Sequence, residues 1–219
     1  MDMEKHLCAL FDLDGVIVDT AKYHFLAWKK IAKNIGCDLT HQDNEKLKGV
    51  SRSDSLRIIL NIANVTITPE DFEYYLIQKN NDYLVLIQSI SPSDILPGIS
   101  EALSFLKERG LKIGLGSASK NAKIILDKLQ LTNYFEAIID GNLVENGKPD
   151  PEVFLKGSTA LKVSPERCIV FEDAVAGISA AKAAGMTSIA LGDKKTFSNA
   201  DFCYPDFVSL NKKILSTLF

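Results

Sequence analysis

From residue 98 onward the chain alternates between two hydrophobic periods. Ile99, Ala102, Leu103 and Leu106 recur at helical spacing and are stopped by Gly110. Residues 112–116 then form a short apolar, strand-like run, residues 121–131 return to a helical pattern, and residues 137–140, 168–171 and 187–191 read as further strands. Between them lie a helix over 151–161, with Pro151 in its first turn, and an Ala-rich helix from Ala174 to a C′ Gly185. Residues 7–13 supply one more strand at the start. Strand and helix alternating through short connections predict right-handed crossovers and a parallel sheet covered on both faces, an α/β core.

Residues 16–91 break this rhythm, carrying helical patterns and no strand. Ala27, Trp28, Ile31 and Ile35 share one face of a helix over 23–35. Leu56, Ile59, Leu60 and Ala63 form a second stripe, preceded by Ser51 and Asp54 at the spacing of a capping box, with Asp in the glutamate's place. Thr68-Pro69-Glu70-Asp71 opens a third helix with an N-cap, an N1 proline and early acids. The pattern predicts a helical module over residues 16–91, inserted into a core made of residues 1–15 and 92–219.

Composition narrows the partners. The 219 residues are 46% hydrophobic, which excludes disorder, and 25 Lys+Arg against 28 Asp+Glu leave a net charge of −3. Basic residues occur as scattered pairs such as Lys29-Lys30 and Lys194-Lys195, so neither nucleic acid nor an anionic membrane is an expected partner. Cys8, Cys37, Cys168 and Cys203 form no C-x-x-C and read as buried thiols in a reducing compartment, not as a zinc or redox site. Asp2, Glu4, Asp12 and Asp14 interrupt the N-terminal apolar residues as no secretory segment tolerates, and no apolar run reaches a bilayer span. A cytoplasmic protein is expected. No apolar helix face is left over to call for a second copy, and a monomer is expected.

The candidate chemistry sits where strands end. Asp12 and Asp14 close the first strand, with Gly15 directly after them. Such a pair either lies in a solvated turn or requires a cation or a shared proton, and Mg²⁺ is the simplest hard cation. Glu172-Asp173 follows the strand over 168–171 in the same way, at the edge where open parallel sheets bind ligands. Ser117-Ala118-Ser119 ends another strand just before a helix, offering hydroxyl and N–H donors, and Lys148-Pro149 also precedes a helix. Alone, Ser117 reads equally as an N-cap and Lys148 as a loop lysine. Together they suit phosphoryl transfer, in which a carboxylate attacking phosphorus needs a metal and a cationic side chain to offset charge, and a second carboxyl moves the proton. Other phosphate machinery is missing: Gly141 and Gly147 are one residue too far apart for a Walker A loop, and Ser119 replaces the third glycine of a dinucleotide fingerprint.

In order, Asp12-Leu13-Asp14-Gly15-Val16, Ser117-Ala118-Ser119, Lys148-Pro149 and Glu172-Asp173 resemble the four signature motifs of the haloacid dehalogenase superfamily, across nearly the whole chain. The resemblance implies a Rossmann-like parallel-sheet core with a helical cap inserted after the first motif, in agreement with the helical pattern of residues 16–91. It implies Asp12 as the nucleophile that becomes an aspartyl-phosphate, and Asp14 as general acid and base. Mg²⁺ would be held by Asp12, the backbone carbonyl of Asp14, Glu172 and Asp173. Ser117 and Lys148 would hold the reacting phosphate, with Ala118, Ser119 and Asn121 beside them.

Within the cap, Thr20, His24 and Trp28, then Leu47-Lys48-Gly49-Val50-Ser51-Arg52, and later Lys79-Asn80, resemble the cap of the superfamily's glucose-phosphate mutases. That implies sugar phosphates as partners and interconversion of β-D-glucose 1-phosphate and glucose 6-phosphate, with β-glucose 1,6-bisphosphate as intermediate and activator. It also implies that His24, Lys48 and Thr20 couple substrate binding to cap closure and to the placing of Asp14. Without the resemblance, His24 would be packing beside an aromatic and Lys79 a solvated helix lysine. Arg52 adds a physical hint: it stands in the first turn of its helix, where a cation opposes the macrodipole unless an anion compensates. The stretch from Glu172 to Gly177 has a form shared with phosphatases, so a sugar-phosphate phosphatase is the alternative. A silent sugar-phosphate-binding protein would be expected to have lost Asp12, Asp14 or the metal acids, and all are present.

Overall fold

A computed structural model describes residues 6–219; Asp2 and Glu4 of the acidic N-terminal pattern lie outside the described residues. Strands β1 (Cys8–Phe11), β2 (Lys112–Gly116), β3 (Ala137–Ile139), β4 (Cys168–Glu172), β5 (Thr187–Leu191) and β6 (Phe202–Tyr204) form one parallel sheet in the order β3-β2-β1-β4-β5-β6. β1 is central, with Cys8 in register with Lys112 on one side and Cys168 on the other. Ala9 and Phe11 face one hydrophobic cluster and Cys8 and Leu10 the opposite one, so β1 is buried on both faces and reads as a continuous apolar run. Helices α5 (Ile99–Glu108), α6 (Ala122–Lys128), α7 (Glu152–Leu161), α8 (Val175–Ala183) and α9 (Lys212–Leu218) complete the core.

The cap carries α1 (Ala21–Ile35), α2 (His41–Glu45), α3 (Arg52–Ala63) and α4 (Pro69–Leu86). Phe25, Trp28, Ile31, Leu39, Leu56, Ile59 and Leu76 give it a small core of its own. Val16, Ile17 and Val18 pack with the sheet's cluster, as do Tyr83, Ile87 and Ile90 at the far end of the insert. The two connecting segments also meet directly, since the Leu96 N–H donates to the Ile17 carbonyl at 2.9 Å.

Several boundaries differ from expectation for local reasons. β1 ends at Phe11, although the Asp12 N–H still donates to the Phe171 carbonyl at 3.0 Å, because Gly15 at φ +86° turns the chain out of the sheet. α6 stops at Lys128, and Gln130 takes a left-handed φ of +59°. Pro151 is the N-cap of α7 and not a residue of its first turn. Ser51 caps α3 by accepting the Asp54 N–H at 3.1 Å, but the return bond is missing; complete capping boxes occur instead at Thr40/Asp43 and Ser91/Asp94. Cys8 and Cys168 are buried free thiols, whereas Cys37 and Cys203 are only half-buried. Among the described residues no helix is long and apolar enough to cross a membrane.

Candidate active site

The carboxyl ends of β2, β1 and β4 bring Ser117, Asp12 and Glu172 to one edge of the sheet, and the loop between β3 and α7 delivers Lys148 among them. The Lys148 Nζ donates to Asp12 Oδ1 at 2.5 Å and to Glu172 Oε1 at 2.6 Å. Burial opposes the lysine's charge, but the two carboxylates outweigh it and hold its pKa above the ordinary value. Glu172 Oε2 accepts the Ala174 N–H at 2.8 Å, and burial, against the pull of Lys148, pushes this carboxyl up. Two glycines make room: a Cβ on Gly177 would overlap the Glu172 carboxylate, and one on Gly15 would overlap that of Asp173.

Asp14 accepts a hydrogen bond from the Thr20 hydroxyl. Burial, reinforced by the Asp12 charge, raises its pKa to about 7, while Thr20, Lys79 and Lys148 pull it back. A carboxyl tuned to that range can give up and recover a proton near neutrality. Asp173 lines the cleft with no hydrogen bond or ion pair among the described residues, and burial together with Glu172, Asp12 and Asp14 holds its pKa well above the usual carboxylate range.

The carboxylates of Asp12, Glu172 and Asp173 and the Asp14 carbonyl are all hard oxygen donors, the set that Mg²⁺ prefers, and the unpartnered Asp173 carboxylate fits a cation. Among the described residues three ligating side chains do not converge on one point; Lys148 draws Asp12 and Glu172 to itself.

Asp12, Asp14, His24, Trp28, Lys48, Gly49, Val50, Arg52, Lys79, Ala118, Ser119, Asn121 and Asp173 line one cleft between cap and core. Thr20, Ser117, Lys148 and Glu172 are buried and do not line it, and Ser51 lines a neighbouring cavity beside Arg52 and Gly147. The Ser117 Oγ accepts the Ser119 N–H at 3.1 Å and the Ser119 Oγ accepts the Asn121 N–H at 3.2 Å, so this loop is braced from within.

Lys79 is not a solvated helix lysine: it is 2% exposed, with its Nζ 2.7 Å from His24 Nδ1 and 5.1 and 4.5 Å from the ring centroids of Trp28 and Tyr83. Burial, then Arg52, lowers its pKa to about 7, partly offset by Asp14. Burial, Lys79 and Arg52 likewise push His24 well below its ordinary value, which leaves a neutral imidazole whose Nε2 is 3.8 Å from Asp14 Oδ1. Arg52, the first residue of α3, is half-buried with no carboxylate partner among the described residues. Lys48 pairs with Glu45 at 2.9 Å.

The cap rests on the core through the Asn121 Nδ2, which donates to Asn80 Oδ1 at 2.9 Å, and through Gly49, where a Cβ would lie 2.7 Å from the Ala174 Cβ. Leu47, at the head of the cap motif, lines the cleft as well, and so do Asn44, Ser55 and Lys120, which were not expected there. Lys120 was within reach of a motif reading, because it directly follows Ser117-Ala118-Ser119. Asn44 lies on α2, whose five residues carry no apolar stripe.

The family model for haloacid dehalogenase-like hydrolases matches residues 9–191. A β-phosphoglucomutase of Bacillus subtilis is 44% identical over 94% of this chain and 92% of its own. A phosphorylated carbohydrates phosphatase of Thermotoga maritima is 32% identical over 82% of each chain. The crystal structure of a β-phosphoglucomutase from Clostridium difficile superposes with a TM-score of 0.94 at 40% identity, over 97% of this chain and 96% of that one.

Proposed function

The chain belongs to the haloacid dehalogenase-like hydrolase family, and within it we propose that this protein is a phosphomutase interconverting β-D-glucose 1-phosphate and glucose 6-phosphate through β-glucose 1,6-bisphosphate. One observation carries the reading: cations stand at the cleft on both its core side and its cap side. Lys148 stands behind Asp12 on the core side, and on the cap side Arg52 has no carboxylate partner among the described residues and Lys79 lies buried near it. A phosphatase must grip only the phosphate it removes. A bisphosphate has a second one to hold, and Arg52 at the N-terminus of α3 supplies a guanidinium and free N–H groups for it. The similarity to β-phosphoglucomutases at 40–44% identity supports the same assignment.

The chain's own groups then divide the work. With Asp12 phosphorylated, the sugar 6-hydroxyl attacks the phosphorus while the Asp14 carboxylate takes its proton, giving the bisphosphate and free Asp12. After the bisphosphate turns over in the cleft, an Asp12 oxygen attacks the phosphorus on C1, and Asp14 returns the proton to the departing sugar oxygen. Lys148 offsets charge as each transfer proceeds. Mg²⁺, held by Asp12, the Asp14 carbonyl, Glu172 and Asp173, would neutralise charge on the transferring phosphoryl oxygens. The cap shuts water away from the phosphoenzyme. The same reading takes the protein to be a cytoplasmic monomer acting on small sugar phosphates. Asp12→Ala tests it: turnover should vanish while the unfolding transition is retained, and surviving activity would remove Asp12 from the nucleophile's role.

A further inference from the structure

Asn44 is 8% exposed and lines the cleft from α2, yet its side-chain amide makes no hydrogen bond among the described residues. Its two polar atoms are not sealed into the packing as the Tyr83 hydroxyl is, and they open onto the cleft that Asn44 lines. An amide carries two N–H donors and an oxygen with two lone pairs. Holding it this far buried with none of them paired costs desolvation energy that an apolar side chain would avoid.

Local structure gives the amide no other task. The Thr40/Asp43 capping box already serves the start of α2, and the Asn44 backbone N–H and carbonyl are taken by Thr40 and Leu47 at 3.1 and 3.0 Å. Leu47, on the next turn, belongs to the cap's apolar core and lines the same cleft, so a leucine at position 44 would find apolar neighbours. The chemistry of the amide then selects its ligand group. Lys148 and Arg52 already supply cations for phosphates. A phosphate presents acceptors and would leave the amide oxygen facing negative charge, whereas a hydroxyl both donates and accepts. Two neighbouring hydroxyls of a sugar ring satisfy both ends of one amide.

We propose that Asn44 is a specificity-determining residue: its side-chain amide reads the ring hydroxyls on C2, C3 and C4 that the phosphates leave free, and so separates glucose phosphates from sugars in which one of these hydroxyls is missing. A site built to hydrogen-bond a hydroxyl rejects the analogue that lacks it, because the site's own polar groups are then left unpaired. The inference rests on the sugar-phosphate reading above.

The test crosses protein with substrate. The whole parent protein and Asn44→Leu, each with Mg²⁺ and a trace of the bisphosphate, are given β-glucose 1-phosphate and its 2-deoxy, 3-deoxy and 4-deoxy analogues, and sugar 6-phosphate and inorganic phosphate are both followed. Asn44→Leu should lose about tenfold in kcat/KM on β-glucose 1-phosphate, while an analogue lacking a hydroxyl that the amide reads should lose as much with the parent and nothing further with the variant. The Tm of Asn44→Leu should be equal or higher, since only an unpaired amide is removed; if leucine unfolds the cap, Asn44→Ala repeats the cross. Unchanged kcat/KM on β-glucose 1-phosphate, or equal losses on all four substrates, would overturn the proposal and leave Asn44 as a wall of the cleft. A parent that releases phosphate and forms no sugar 6-phosphate would overturn the mutase reading alone, and the cross is then read from phosphate release. A parent inactive on all four would overturn both.

Discussion

Lys79 and His24 meet at 2.7 Å between Nζ and Nδ1, a buried ammonium against an imidazole that its surroundings keep neutral. With Arg52 also lowering the Lys79 pKa, this corner of the cap repels protons in the ligand-free protein. It is the polarity expected of a pocket that awaits an anion, and its cost can be measured.

Removing the cation should stabilise the fold and damage function. The Lys79 pKa lies near 7 in the folded protein against 10.5 for an ordinary lysine, so its burial penalty is full below pH 7 and fades as pH rises from about 7 towards 10.5. Lys79→Met should raise stability by on the order of 1 kcal/mol at pH 6, less at pH 9, while kcat/KM falls at least tenfold. Chemical denaturation at the two pH values, read beside the coupled assay, checks both halves.

Lys148 makes the opposite prediction, because it is the buried counter-charge to Asp12 and Glu172. Lys148→Ala leaves those carboxylates uncompensated and should cost about 3–5 kcal/mol of stability together with turnover. A urea titration showing a loss below about 1 kcal/mol would mean that the two acids are satisfied without it.

Gly49 is one of the places where cap and core pack closely. At φ +72°, and with the Ala174 Cβ only 2.7 Å from where a new Cβ would stand, alanine is both strained and obstructed. Gly49→Ala should cost about 1–2 kcal/mol in stability and, by holding the cap about 1 Å off the core, on the order of 100-fold in kcat/KM. Calorimetry and initial rates separate the two effects.

The loop that delivers Lys148 is tied down by Glu152, whose carboxylate accepts the backbone N–H groups of Glu145 and Asn146 at 2.8–3.1 Å and pairs with Lys156 at 2.5 Å. The Lys156 bond first, then the two N–H bonds, lower its pKa from 4.5 to about 2. A depressed carboxyl pKa contributes stability above the unfolded value that is lost as pH falls through the folded one, here from about 4.5 to about 2. Glu152→Gln should flatten the Tm profile across that window and leave its slope above about pH 6 unchanged.

The parallel sheet was legible because its central strands are uninterrupted apolar runs that end abruptly in acids or glycine, as Phe11-Asp12 and Phe171-Glu172 do. The same abruptness exposed the metal acids, since a carboxylate directly after a buried strand demands an explanation in any context. β6 and α9 escaped notice because Phe202–Tyr204 is a three-residue edge strand that is partly exposed, and Lys212–Leu218 is too short to display a period. The burial of Lys79 was illegible for a different reason. α4 also carries the exposed apolar residues Tyr74, Ile77 and Val85 on its opposite side, and they mask the stripe of Phe72, Tyr75, Leu76 and Tyr83 in whose midst Lys79 stands. Its contact with His24 spans 55 positions in the chain and exists only through the packing of α1 on α4.

The central claim is that the cations on the core and cap sides of the cleft hold a bisphosphate while the cap keeps water out. The measurement that tests it most directly follows glucose 6-phosphate formed from β-glucose 1-phosphate, with Mg²⁺ and a trace of β-glucose 1,6-bisphosphate, and inorganic phosphate released in the same tube. Glucose 6-phosphate accumulating without a matching release of phosphate is the predicted result. Phosphate release without glucose 6-phosphate would contradict the claim and make the protein a sugar-phosphate phosphatase.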